Sequence, residues 1–363
     1  MSSRLYPEKK SSDFFSQKSL EHKVFQGTWP APHMRGWPFF NLYKACTILR
    51  MASSMCPNPD RVSLNHHLFH AAKVPDTLRH LIVDISRASR YISNAIQTTD
   101  AGLAKSKNQF GEEQLALDVL SDRIIHQFLC ESEIVASFVS EEREEVIQLA
   151  SHAPYSVVFD PLDGSSLVAE NFTIGSIFGI YAGSDVIGHT PREQVAALYV
   201  LYGPRTVLVY STGNGVHEFI LNSVGEFILL REYLGVADHA KNYSPGNLRA
   251  VTENVQYRDL VNLWLSEALT LRYSGCMAAD VHHILSKGQG IFTNVGGNKY
   301  PQGKLRLLFE CGPFAYLMEH AGGTSSNGST SILDVSIADI DQRTPIIIGS
   351  RNEVERAMRI LES

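Results

Sequence analysis

The sequence predicts an α/β protein of two domains. Three observations carry this. Two long stretches place apolar residues at helical spacing, a series of short β-branched runs separated by turn residues follows, and the character changes near residue 239, after which helical runs alternate with short strands. A chain of 363 residues is itself consistent with about two domains at roughly 150 residues each.

The elements follow in order. Val74, Leu78, Leu81, Ile82, Ile85, Ala88, Ile92, Ala95 and Ile96 recur three or four residues apart, which predicts an amphipathic helix over about 74–98. Leu117, Leu120, Ile124, Ile125 and Phe128 predict a second over about 113–130. Apolar runs at 134–139 and 155–159 read as strands. The run 174–181 is apolar and β-branched, and its Gly175 and Gly179 permit another segment to approach closely. Runs at 196–201, 206–210, 216–221 and 226–230, divided by turn residues, read as an antiparallel stretch. Beyond about 239, helices are expected at 257–269, 278–286, 305–321 and 352–361, with a strand at Ile346-Ile347-Ile348. The expected division is an extension over 1–62, a first domain over 63–238 and a second over 239–363.

Composition excludes several classes. Lys and Arg total 32 against 38 Asp and Glu, so the net charge of −6 argues against a chain-wide nucleic-acid footprint. No apolar run approaches the roughly 18 residues that span a bilayer. Five cysteines without a Cys-x-x-Cys pair suit neither a dense disulfide framework nor a structural zinc cluster. His66, His67 and His70 share one helical turn, but no neighbouring Cys or acid completes a set of four zinc ligands. Cys130 and Cys311 are expected to pack as small apolar residues. Residues 1–62 are basic and lack a secretory apolar core. The expected placement is cytoplasmic, with organelle targeting by 1–62 as the alternative and Met51 as a second candidate start.

The chemistry lies in the acids. Glu141-Glu142 directly follow one apolar strand, and Asp160 directly follows another, within Asp160-Pro161-Leu162-Asp163-Gly164-Ser165-Ser166. Ligands gather at the C-terminal ends of strands in α/β sheets. Two acidic groups brought together there repel unless a cation lies between them. Mg2+ suits such a site, because it takes oxygen ligands and lets substrate phosphate complete its shell. Gly164-Ser165-Ser166 offers N–H groups and hydroxyls as a phosphate cradle if a helix starts there.

That heptapeptide, followed by Ile174-Gly175-Ser176-Ile177-Phe178-Gly179-Ile180-Tyr181, resembles the fructose-1,6-bisphosphatase family over about residues 64–363. The resemblance implies a layered α/β/α/β/α sandwich. Segments 170–173, 202–206, 244–250, 271–275, 290–295 and 321–328 resemble the sedoheptulose-1,7-bisphosphatase branch, whereas 277–282 resembles the fructose branch.

The resemblance implies metal ligands Glu141, Asp160, the Leu162 carbonyl, Asp163 and Glu310, the last closing Lys304-Leu305-Arg306-Leu307-Leu308-Phe309-Glu310. The implied ion is Mg2+, replaceable by Mn2+, at roughly two or three per subunit. Glu142 orients or deprotonates the attacking water, Asp118 holds its proton network, and Glu112 lies near a further metal or the water. Asp118 is expected on the polar side of its helix, opposite Leu117, Leu120 and Ile124. The substrate contacts implied are Gly164, Ser165, Ser166, Asn247, Arg272, Tyr273, Met277, Asn294 and Lys304. Arg272 is expected to reach the neighbouring subunit's site, which implies a homodimer or homotetramer. Asn294 stands where the fructose branch has Tyr, leaving room for a seven-carbon sugar. The expected reaction is hydrolysis of the C1 phosphate of sedoheptulose 1,7-bisphosphate, with fructose 1,6-bisphosphate or dual specificity as the alternative. A catalytically inactive sugar-phosphate sensor would be expected to have lost a metal ligand, and none is lost.

Overall fold

A computed structural model describes residues 62–99, 103–107 and 113–363. The extension 1–61 and Glu112 lie outside the described residues, so the targeting and alternative-start readings fall there too.

Helix α1 (Leu64–His70) is capped by Ser63, whose Oγ accepts the His66 N–H at 3.3 Å. Helix α2 (Asp76–Thr98) carries the predicted stripe, with Leu78, Leu81, Ile82, Ile85, Ala88 and Ile92 all buried. It begins two residues later than the apolar spacing suggests, because Pro75 holds the preceding residue out of the helical region. Strands β1 (Leu103–Lys107) and β2 (Glu113–Leu115) form an antiparallel ribbon. Helix α3 (Ala116–Glu131) therefore starts at 116 rather than 113.

The first sheet then forms from β3 (Val135–Ser140), β4 (Ile147–Gln148), β5 (Tyr155–Asp163), β6 (Ile174–Ala182), β7 (Gln194–Tyr202), β8 (Thr206–Ser211), β9 (His217–Leu221) and β10 (Phe227–Arg231). Its order is β10-β9-β8-β7-β6-β5-β3-β4. The predicted antiparallel stretch is the run β7 to β10, and the antiparallel pairing extends further, through β6 to β5; in this sheet only β3 and β5 pair in parallel.

Beyond it come β11 (Asn242–Gly246), α4 (Val255–Ser266), β12 (Thr270–Leu271), α5 (Met277–Lys287) and β13 (Ile291–Asn294). A π-helical turn (Leu307–Cys311) leads into α6 (Gly312–His320), followed by β14 (Thr324–Ser326), β15 (Ile346–Gly349) and α7 (Arg351–Leu361). The second sheet has the order β12-β11-β13-β15-β14. The continuous helix expected over 305–321 is interrupted because Pro313 has no N–H to offer the carbonyl four residues back. The backbone opens instead into five-residue spacing, with Cys311 N–H donating to the Arg306 carbonyl at 3.0 Å.

Strand periodicity sorts the core into three layers. Val157 and Phe159 face α2 and α3, while Val158 between them faces α5 and α6. Ile346 and Ile348 pack onto the same middle layer, while Ile347 faces α4 and α7. The result is helix pair, sheet, helix pair, sheet, helix pair, the predicted α/β/α/β/α sandwich. Cys311 is buried in it, but Cys130 is exposed on α3, contrary to expectation. Cys130 follows the buried Leu129, so the stripe has already turned past it. Among the described residues no helix is long and apolar enough to cross a membrane.

The outermost layer yields a stability prediction. Trp264 is fully buried, stacks on Tyr243 at 5.1 Å between ring centroids and donates its indole N–H to Glu353 at 2.6 Å. Trp264→Ala should lower unfolding free energy by about 3–5 kcal/mol in denaturant titration, from cavity formation and lost transfer energy. A loss below about 1 kcal/mol would show that this layer collapses around the gap.

Candidate active site

The parallel pairing of β3 and β5 sets Ser140 beside Phe159, so Glu141, Glu142 and Asp160 emerge along one edge of the sheet. Glu141 N–H is held by the Phe159 carbonyl at 3.1 Å. Between β5 and β6 the register slips, since Asp160 pairs with Ile177 and Asp163 with Gly175. Strict alternation would turn residues 160 and 163 to opposite faces; the bulge brings both carboxylates to the same side. The loop is stiffened by Leu162 N–H donating to Asp160 at 2.8 Å and by Ser176 Oγ–H donating to the Pro161 carbonyl at 2.7 Å.

Two glycines allow α5 to close on this loop. A Cβ on Gly175 would lie 2.8 Å from the Cβ of Ala278. Gly164 has φ +78°, and a Cβ there would lie 2.8 Å from the Cβ of Cys276. The approach lets Asp163 accept the Ala278 N–H at 2.6 Å and the Cys276 thiol at 3.2 Å. The helix start on which the sequence makes a phosphate cradle at Gly164-Ser165-Ser166 conditional is only a three-residue turn, Ser165–Leu167. Any phosphate cradle there is a loop and not a helix terminus.

The π-turn supplies the third acid. Glu310 is turned back so that it accepts the Arg306 N–H at 2.7 Å. One carboxylate oxygen each from Asp160, Asp163 and Glu310 lies within 4.8 Å of the others. Burial, aided by the charges of the neighbouring acids, raises the proton affinity of all three, strongly for Asp160 and to about 8 for Glu310, and less for Asp163, whose hydrogen bonds from Ala278 and Cys276 oppose the rise. Three acids, two of them buried, converging at one point with oxygen donors only are a donor set for a hard divalent cation. Glu141 at the rim pairs with Arg306, a buried guanidinium that also donates to Asp341 at 3.0 Å.

These acids form one end of a cavity of about 710 Å3. Asp118, Glu142, Leu162, Gly164, Ser165 and Ser166 line the same cavity. Asn247, Tyr273, Met277, Asn294 and Lys304 line the rest. Asp118, in the first turn of α3, is buried and lines this cavity, while Arg123 and Gln127 further along the helix are exposed to solvent. Asn247 takes a left-handed conformation and anchors through its side-chain N–H to the Val295 carbonyl at 2.7 Å. Asn294 is buried, and its Oδ1 has no hydrogen-bond partner.

Arg272 is not among the residues lining the cavity; it is exposed and donates to the adjacent Leu271 carbonyl. His282 faces Tyr199 on the sheet at 2.8 Å and is not among the cavity-lining residues. The histidine turn divides, with His66 and His70 exposed and His67 buried. Sequence reasoning missed Arg306 and Asp280. Arg306 carries a legible signal, as the one charge inside the apolar run 305–309. Asp280 caps the turn before α5, accepting the Ser274 N–H at 2.7 Å, and burial pushes its carboxyl up to about 6.

Comparison with known proteins agrees with this architecture. Residues 61–232 match the family model for the fructose-1-6-bisphosphatase N-terminal domain, and 236–362 match the C-terminal domain. A class 1 fructose-1,6-bisphosphatase of Citrifermentans bemidjiense is 46% identical over 299 residues, spanning 82% of this chain and 91% of that protein. The chloroplastic sedoheptulose-1,7-bisphosphatase of Triticum aestivum is 41% identical over 293 residues, spanning 79% of this chain and 74% of that one. The crystal structure of Leishmania major fructose-1,6-bisphosphatase in holo form superposes with a TM-score of 0.79 at 30% identity, covering 85% of this chain and all of that one. With both halves matched and the acids assembled at the strand ends, the chain belongs to the fructose-1,6-bisphosphatase family of phosphoric monoester hydrolases.

Proposed function

We propose that this sugar bisphosphatase removes the C1 phosphate of sedoheptulose 1,7-bisphosphate in a Mg2+-dependent reaction. The observation that carries the reading is the single cavity joining the acid cluster to a wall made by Asn294. A small, buried amide with an unbonded oxygen stands there, able to accept from a sugar hydroxyl.

Residues 63–238 supply most of the metal-side groups and 239–363 the sugar side. Asp160, Asp163, Glu310, Glu141 and the Leu162 carbonyl would hold the ions, whose chemistry is neutralisation of charge on the transferring phosphoryl group. Phosphoryl transfer is chiefly positioning and charge stabilisation, so the remaining residues act by placement. Glu142 takes the proton of the attacking water, with Asp118 and Glu112 supporting that network. Gly164, Ser165 and Ser166 receive the C1 phosphate. Asn247, Tyr273, Met277 and Lys304 hold the sugar and its far phosphate. Exposed Arg272 serves the neighbouring subunit of a homodimer or homotetramer, because its planar fork suits a phosphate that its own cavity does not offer it.

Fructose 1,6-bisphosphate is the second reading. It is favoured by identity, 46% to the bacterial fructose enzyme against 41% to the wheat sedoheptulose enzyme. The two are separated by kcat/KM. The sedoheptulose substrate should exceed the fructose substrate by at least about tenfold, equivalent to roughly 1.4 kcal/mol. Asn294→Tyr should narrow that gap by crowding the longer chain. Equal efficiencies would mean dual specificity, and a reversed ratio would assign the fructose substrate.

A further inference from the structure

Outside the catalytic cavity, a second constellation of ligating side chains forms where α1 meets the sheet edge. We infer that His67, His217 and Glu232 form a binding site for a borderline divalent transition metal ion of the Zn2+ class, which clips α1 to β9 and the segment after β10. One ligating atom from each residue lies within 4.8 Å of the other two. They come from three separated segments, so nothing in local sequence brings them together.

The donor set has the composition of a two-histidine, one-carboxylate zinc site. His67 Nε2 lies 2.9 Å from a Glu232 carboxylate oxygen. The rings of His67 and His217 are 4.6 Å apart between centroids. The outer nitrogens already have the partners that metal-bound imidazoles require. His67 Nδ1 lies 2.6 Å from the Tyr210 hydroxyl, and His217 Nε2 lies 3.1 Å from the Asn214 carbonyl. That second contact makes Nε2–H the donor and leaves Nδ1 as the acceptor nitrogen, which takes a long hydrogen bond from the Tyr233 N–H at 3.4 Å that a metal ion would replace.

Surroundings and access agree with a metal site. His67 and His217 are buried, and burial holds both imidazoles below their ordinary proton affinity, in the neutral form that ligates. Glu232 is 43% exposed in its side chain, which gives an entry path and leaves a fourth position for water. Tyr233, directly after it, takes φ +52° and packs edge-on against His217 at 4.9 Å. Strained backbone of this kind, costly for an aromatic residue, collects at ligand clamps. Nitrogen donors also separate this site from the all-oxygen catalytic cluster, which suits Mg2+.

The test uses the full-length protein, stripped with chelator and titrated with Zn2+ by calorimetry in saturating Mg2+. An Asp163→Ala background weakens the competing acid cluster. One equivalent of Zn2+ is expected to bind in both proteins, and Co2+ in its place should give the intense visible bands of a low-coordinate nitrogen site. Adding Glu232→Ala, on the solvent-exposed side of the site, should weaken Zn2+ at least about tenfold. Adding His217→Gln should do the same. No uptake in saturating Mg2+, or uptake unchanged by Glu232→Ala, would overturn the assignment. Neither outcome bears on the bisphosphatase reading, which rests on the other cluster.

Discussion

Chelation of divalent cations is expected to abolish turnover, and Mg2+ or Mn2+ to restore it. Asp160, Asp163 and Glu310 converge within 4.8 Å, and Asp160 and Glu310 are buried. Ionised together without a cation they repel across a poorly screened space, so the site cannot hold a phosphoryl group in place. Asp163→Ala should raise the metal concentration needed for half-maximal rate. It removes one of the proposed ligands and also the contact that ties the loop to the α5 N-terminus through Ala278.

The same acids set a pH dependence. Their folded-state proton affinity is raised, whereas in the unfolded chain they ionise near pH 4. Between the two values the unfolded state binds fewer protons, so stability of the metal-free protein falls as pH rises. The deficit is absent below about pH 4 and complete above the raised folded values. Mg2+ should therefore raise Tm more at pH 8 than at pH 6, read by scanning calorimetry with and without chelator. Full activity in chelator, or a larger Mg2+ shift at the lower pH, would contradict the assignment of this cluster.

Glu142→Gln is expected to lower kcat by on the order of 10²-fold or more, the scale of a removed general base. Glu142 directly follows Glu141 and lines the same cavity but stands outside the converging trio. The amide keeps the size and hydrogen-bonding reach of the carboxylate and loses only the ability to take a proton. Metal requirement and KM should stay close to those of the parent. If the substitution instead raises the metal requirement and spares kcat at saturation, Glu142 is a ligand and not the base.

Much of this was legible because it is local. The α2 stripe, the strands of the first sheet and the acids that follow β3 and β5 depend on residues near one another in sequence, where side-chain period reports the buried face. The short strands β11 and β13 were not read as strands. They are four or five residues long, and β11 contains Pro245 and Gly246, so they carry little period to detect. The break at Pro313 was hidden within a run apolar enough to pass for one continuous helix.

The sequence by itself determined the layered class, the presence of two acid groups at strand ends and, through its resemblance, the family. The alternation of helices and strands and the acids after the strands follow from spacing along the chain, and the layering and the family from the motifs that carry the resemblance. Only the tertiary structure decided which groups meet. The parallel register of β3 with β5 aligned the strand ends, and the bulge turned Asp160 and Asp163 to one side. The π-turn brought Glu310 to them and set Arg306 against Glu141. His67 and Glu232 touch across 165 positions of sequence. Such contacts are set by sheet register and helix packing, and no periodicity in the linear chain encodes the distance between residues that far apart.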